Sequence, residues 1–156
     1  MRVAGIAVKV LTRNRPAVRL VVISDDSGAP VVEATEEFTS DDTDLPTQLS
    51  VIAKTVESRL KGLGADRVMV RRADMATVAN KKPGPQLRLL AEGAATGSAR
   101  SIVPDTRIGS GKDVGGWAGS DKASADAAAE ALLAAGGRNK KYVEAASAAL
   151  AGLALP

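Results

Sequence analysis

Cysteine and histidine are both missing from this chain of 156 residues, and its aromatic side chains are one Phe, one Trp and one Tyr. The missing thiols and imidazoles exclude thiolate zinc centres, disulfide frameworks, Cys or Ser–His nucleophiles and histidine bases together. Any catalysis has to run on carboxylates, Lys, Arg, Ser or Thr. Phe38, Trp117 and Tyr142 are too few to form the stacking platform on which single-strand binders lay successive bases. No run reaches the roughly 18 apolar residues of a membrane helix, and the N-terminus lacks the charged, apolar, small-residue order of a secretory signal. These absences predict a cytoplasmic chain with no membrane segment. Length, with 45% hydrophobic and 25% charged residues, fits one globular domain over 1–156. The 21 Lys and Arg exceed the 18 Asp and Glu by three, too few to identify a polyanionic partner without knowing how they cluster.

Three runs rich in β-branched residues, Val3–Leu11, Ala17–Ser24 and Val31–Phe38, are separated by the turn residues Arg13-Asn14-Arg15-Pro16 and Asp25-Asp26-Ser27-Gly28-Ala29-Pro30. That spacing predicts a three-stranded antiparallel meander. Leu45, Leu49, Ile52, Val56, Leu60 and Leu63 then form the stripe of an amphipathic helix, with Asp44 as its cap and Gly62 and Gly64 as its stop. Asp66–Val70 reads as a strand parallel to the first. After the break at Lys81-Lys82-Pro83-Gly84-Pro85 comes a helix over Gln86–Thr96 with Leu87, Leu90, Ala91 and Ala94 on one side. Ser101-Ile102-Val103-Pro104 reads as a short fifth strand, and the five glycines of Gly109–Ser120 as a mobile loop that packs little. The alanine-rich remainder, Asp121–Pro156, splits at Gly136-Gly137 into two helices, the second capped by Asn139.

The resulting order, β-β-β-α-β-α-β-α-α, brings several local strings into line. Gly5-Ile6-Ala7-Val8, the strand string Gly64–Arg71, the stretch Met75–Asn80, the helix at Leu87–Gly93, the loop Gly119-Ser120-Asp121-Lys122 and the last-helix string Glu144–Leu150 occur in sequence. In that order the chain resembles the RuvC-type Holliday-junction resolvases. The resemblance implies an α/β, ribonuclease-H-like fold: a mixed five-stranded sheet, made of a three-stranded antiparallel meander plus two parallel strands, flanked by helices. It also implies a homodimer.

In that family four carboxylates from strands one and four and the last helix gather two divalent ions about 3.5–4 Å apart. Carried over residue by residue, those positions fall on Ala7, Arg71, Glu144 and Ser147, so one acid of four remains. The resemblance therefore implies no metal, no cofactor and no resolvase chemistry, because a permanently cationic guanidinium repels the ions such a site must gather. An ion pair between Arg71 and Glu144 is one expectation for the vacated centre, and a solvated Arg71 at an open strand end the other. Asp41, Asp42, Asp44, Asp105, or Asp126 with Glu130 sharing a cation as i, i+4 neighbours, are the remaining acids from which a centre could be rebuilt. They equally suit helix dipoles and a soluble surface.

Arg71, Arg72, Lys81 and Lys82 after the fourth strand, Arg107 and Lys112 after the fifth, and Lys122 at the next helix are expected to rim one end of the sheet as a phosphate-tracking patch. Arg138, Lys140 and Lys141 form a second basic cluster elsewhere. Three classes of function follow. The chain is read first as a pseudo-nuclease that binds branched or double-stranded DNA without cutting it. The alternatives are a protein-interaction or assembly module and a metal-dependent nuclease with relocated carboxylates.

Overall fold

The computed structural model describes residues 1–74 and 82–156. Strands β1 (Arg2–Leu11), β2 (Arg15–Ser24) and β3 (Val31–Thr39) form the expected meander. Helix α1 (Leu45–Leu63) starts where the Asp44 carboxylate accepts the Thr47 N–H at 3.0 Å, and stops at Gly64, whose left-handed backbone ends the last turn. β4 (Arg67–Arg71) pairs parallel with β1, and β5 (Thr106–Gly109) parallel with β4, giving the order β3-β2-β1-β4-β5. This is the mixed sheet of a ribonuclease-H-like fold.

Alternation of side chains along the strands divides the core in two. Ala4, Ile6, Val8, Val18, Leu20, Val22, Val68 and Val70 face α1 and α2 (Pro83–Ile102), while Val3, Ala7, Val21, Ile23 and Met69 face α3 (Gly111–Trp117), α4 (Lys122–Ala135) and α5 (Val143–Ala154). The small residues of α5 bring it down onto β1. A Cβ added to Gly5 would stand 1.9 Å from the Ala145 carbonyl oxygen, so only glycine admits the helix there.

Three expectations are corrected. The apolar run at Ser101–Pro104 is not a strand: Ser101 and Ile102 end α2, the Val103 N–H closes on the Ala99 carbonyl at 2.8 Å, and β5 begins two residues after Pro104. Helix α2 starts at Pro83 and buries Leu87, Ala91, Ala95 and Ala99, whereas Leu90 is exposed. Its stripe is made of alanines, which mark a buried face weakly. The glycine-rich stretch is not a loop either. Ser110 and Asp113 form a capping box that starts α3, and Gly111, Val114 and Gly115 are buried. Asn139 caps the single 3₁₀ turn Lys140–Tyr142 that leads into α5. Among the described residues no helix is long and apolar enough to cross a membrane.

Candidate functional site

β4 sends Arg67, Met69 and Arg71 to the same face by alternation, and Arg71 ends the strand. Register places Arg71 between Ala7 of β1 and Gly109 of β5, and places Arg19 of β2 on the far side of Ala7. α5 lies across this end antiparallel to β4: Ala145 and Ala149 cover Gly5, and Gly152 lies over Val3 and Met69. Ala7, Arg71 and Ser147 are 3%, 3% and 1% exposed. Glu144 stands in the first turn of α5, one turn before Ser147.

Arg71 does not pair with Glu144, nor is it solvated. Its guanidinium holds Asp126 of α4 with two parallel hydrogen bonds, Nη1 to Oδ1 and Nη2 to Oδ2, the second at 3.1 Å. The expected sharing of a cation by Asp126 and Glu130 is corrected by the same contact, since the Asp126 carboxylate is engaged by Arg71 and Glu130 is exposed. One turn before Asp126, Lys122 reaches Asp74 at 3.1 Å, and Asp74 also accepts the Gly111 N–H at 2.9 Å. The Gly111 N–H, Lys122 and the charge of Arg71 hold the Asp74 carboxyl below the usual carboxylate range. A Cβ on Gly111 would come within 2.7 Å of Lys122 Cε and 2.9 Å of Arg71 Nη2, so α3 begins directly against these cations.

Glu144 turns the other way, toward α2, and accepts from Arg88 Nη2 at 2.8 Å. Arg88 Nε donates at 2.8 Å to Oε1 of Glu92, which also accepts the Ala73 N–H at 2.8 Å. Glu92 is wholly buried, and among the described residues its Oε2 has no hydrogen-bond partner, nor has the Ser147 hydroxyl. Burial pushes the Glu92 carboxyl up, with Arg88 and the Ala73 N–H working against it. Sequence reasoning missed Arg88 and Glu92. Their signal was an opposite-charge i, i+4 pair with its acid beside the buried Ala91.

The cations expected on one rim are largely used within the chain. Arg71 and Lys122 are ion-paired as described. Arg107 is a correction: its Nε donates back to Asp105 at 3.2 Å, because that carboxylate immediately precedes β5, and this directs it toward the amino end of the strand. Arg72 is half-buried and donates to the Ala73 carbonyl at 3.3 Å, Lys112 is exposed on α3, and Lys82 occupies the cap position of α2. Lys81 lies outside the described residues. Of the other acids, Asp44 caps α1, Asp42 accepts the Ser40 hydroxyl at 2.7 Å, Asp41 pairs with Arg15 at 2.6 Å and Asp105 pairs with Arg67. Among the described residues no group of three or more acids could hold a metal ion.

No family model and no curated protein matches the chain. Solved structures do. RuvC of Thermus thermophilus superposes with a TM-score of 0.71 at 16% identity over 99% of this chain and 94% of that one. The same resolvase in complex with a Holliday junction substrate gives 0.71 at 17% identity, covering 99% and 93%. The yeast mitochondrial Holliday junction resolvase Ydc2 gives 0.63 at 9% identity, covering 97% and 78%. The chain therefore has the fold of the RuvC-type resolvases across nearly its whole length, and at these identities the likeness concerns the fold.

Proposed function

We propose that this is a non-cleaving domain of RuvC-type fold that binds branched or double-stranded DNA. The observation that carries the loss of cleavage is Arg71, buried beside Ala7 and doubly hydrogen-bonded to Asp126. The residues do not fit a pair of divalent ions. Of the four carried-over positions only Glu144 is an acid, and its carboxylate is bridged to Glu92 by Arg88. Arg71, Arg88 and Lys122 bring three fixed positive charges to the carboxylates Asp74, Glu92, Asp126 and Glu144, so internal cations do the neutralising that ions would do. A DNA role is supported by the fold, shared with resolvases of which one is described with its junction substrate.

Gel-shift assays against four-way junction, duplex and single-stranded DNA at two salt concentrations, with magnesium and with the strands examined for cuts, test the reading. Salt-sensitive binding that leaves all strands intact supports it. Magnesium-dependent cutting overturns it in favour of a nuclease with relocated carboxylates. A second reading, an assembly module, is favoured by the adjacent exposed Leu89 and Leu90 on α2, 48% and 47% accessible. Absence of DNA binding at low salt selects that reading.

A further inference from the structure

The cationic surface is not where the sequence order places it. Arg19 of β2 and Lys9 of β1 lie on the α5 face of the sheet, Arg19 in register with Ala7 and Lys9 one alternation further along β1. The turn between α4 and α5 folds over the same place: Arg19 Nη1 donates to the Lys141 carbonyl at 3.0 Å, and Arg19 and Lys141 both hold Glu37 of β3, at 2.7 and 3.1 Å. Lys141 also rests over the Tyr142 ring, 5.1 Å from its centroid. The turn is fixed from within, the Arg138 N–H donating to the Leu133 carbonyl at 2.8 Å and the Lys141 N–H to Asn139 Oδ1 at 2.8 Å. This scaffold presents Lys9, Arg138 and Lys140, all exposed and none in an ion pair with the described residues. Two cations thus share the Glu37 carboxylate, and Lys9, Arg138 and Lys140 add three more with no acid paired to them among the described residues.

At the expected rim, by contrast, Arg71 and Lys122 are each opposed by an aspartate. Glu37 fastens the two inner cations and the three outer ones stand clear, an arrangement suited to tracking phosphates by charge and not to reading bases. Tyr142, the aromatic at this surface, is buried beneath Lys141 and offers no open ring for stacking, which points to a duplex backbone as the ligand. We infer that the surface formed by Lys9, Arg19 and the α4–α5 turn, with Arg138 and Lys140 at its front, is the seat of duplex nucleic acid. The inference rests on the DNA-binding reading above and names its surface.

The test uses a fluorescent duplex of 30 base pairs titrated across a salt series against the native chain, the triple variant Lys9→Gln/Arg138→Gln/Lys140→Gln and the control Arg72→Gln/Lys112→Gln. Each lost phosphate contact lowers the slope of log K against log salt by about 0.9, so the triple variant is expected to lose about 2.7 of slope with an unchanged melting temperature. The control is expected to keep the native slope. The opposite pattern overturns this surface and leaves the DNA-binding reading standing. No binding by the native chain overturns both, and capture of anionic phospholipid vesicles without duplex binding overturns the assignment of nucleic acid as the ligand.

Discussion

Arg67 and Arg71 leave the same face of β4 at its two ends, both buried and both paired to an aspartate, yet they hold different kinds of structure. Arg67 pairs with Asp105 and spends its other donors on backbone: Nη1 on the Gly152 and Leu155 carbonyls at 2.7 and 2.9 Å, and Nη2 on the Pro156 carbonyl at 3.0 Å. It caps the last turn of α5, where a cation meets the negative end of the helix dipole. Among the described residues Arg71 holds only the side chain of Asp126, at the sheet end where the carried-over positions gather. One end of the strand is fixed main chain to side chain, the other side chain to side chain. Substitution is therefore expected to disturb main-chain structure at the Arg67 end and side-chain pairing alone at the Arg71 end.

Substitutions can break this comparison. Arg67→Ala is expected to cost the most, about 4–5 kcal/mol in urea unfolding, because the buried Gly152 carbonyl, the half-buried Leu155 and Pro156 contacts and Asp105 lose their donors at once. Arg71→Ala is expected to cost about 3 kcal/mol, since it leaves the Asp126 carboxylate without its donors but strips no backbone carbonyl. Equal losses would mean that the backbone contacts of Arg67 add nothing.

A pH series sharpens the contrast. Arg67, followed by Arg107, holds the Asp105 carboxyl low, so that end contributes stability above the ordinary aspartate range that is lost as pH falls through the depressed value. Near the other end, burial raises the Glu92 carboxyl, so its contribution is complete at low pH and lost as pH rises through the raised value. Unfolding free energies of the native chain against Asp105→Asn and Glu92→Gln should give difference curves of opposite slope, and slopes of the same sign would refute the assignment. The smallest effect expected is that of Ser147→Ala. Its hydroxyl is buried without a partner among the described residues, so the variant should match the native chain or gain up to about 1 kcal/mol. A clear loss would reveal a hydrogen bond to Ser147.

The meander, α1 with its Asp44 cap and the parallel β4 were legible because their patterns are local: β-branched runs between turn residues, and a leucine stripe behind a capping aspartate. The boundary between α2 and β5 was not, because alanines at 91, 95 and 99 carry little hydrophobic contrast while Ile102 and Val103 before a proline imitate a strand. The glycines of α3 looked mobile for a similar reason. Gly109, Gly111 and Gly115 instead admit Trp117, Lys122 with Arg71, and the Asp121–Lys122 backbone, contacts between segments that composition does not encode. Of the candidate site, the neighbouring of Ala7 and Arg71 followed from strand order. The choice of partners did not. Whether Arg71 meets Asp126 or Glu144 depends on how α4 and α5 pack over the sheet, which no spacing within either helix specifies.

The Arg71–Asp126 pair also acts as a ratchet in sequence space. An acid introduced at position 71 alone would face Asp126 as a buried like charge, and an acid at position 7 alone would become another partner for Arg71 before it could become a ligand. Removing Asp126 alone would strand a buried guanidinium. Each single step from this arrangement toward an acid-lined centre first runs uphill, so reaching one takes at least two coordinated substitutions.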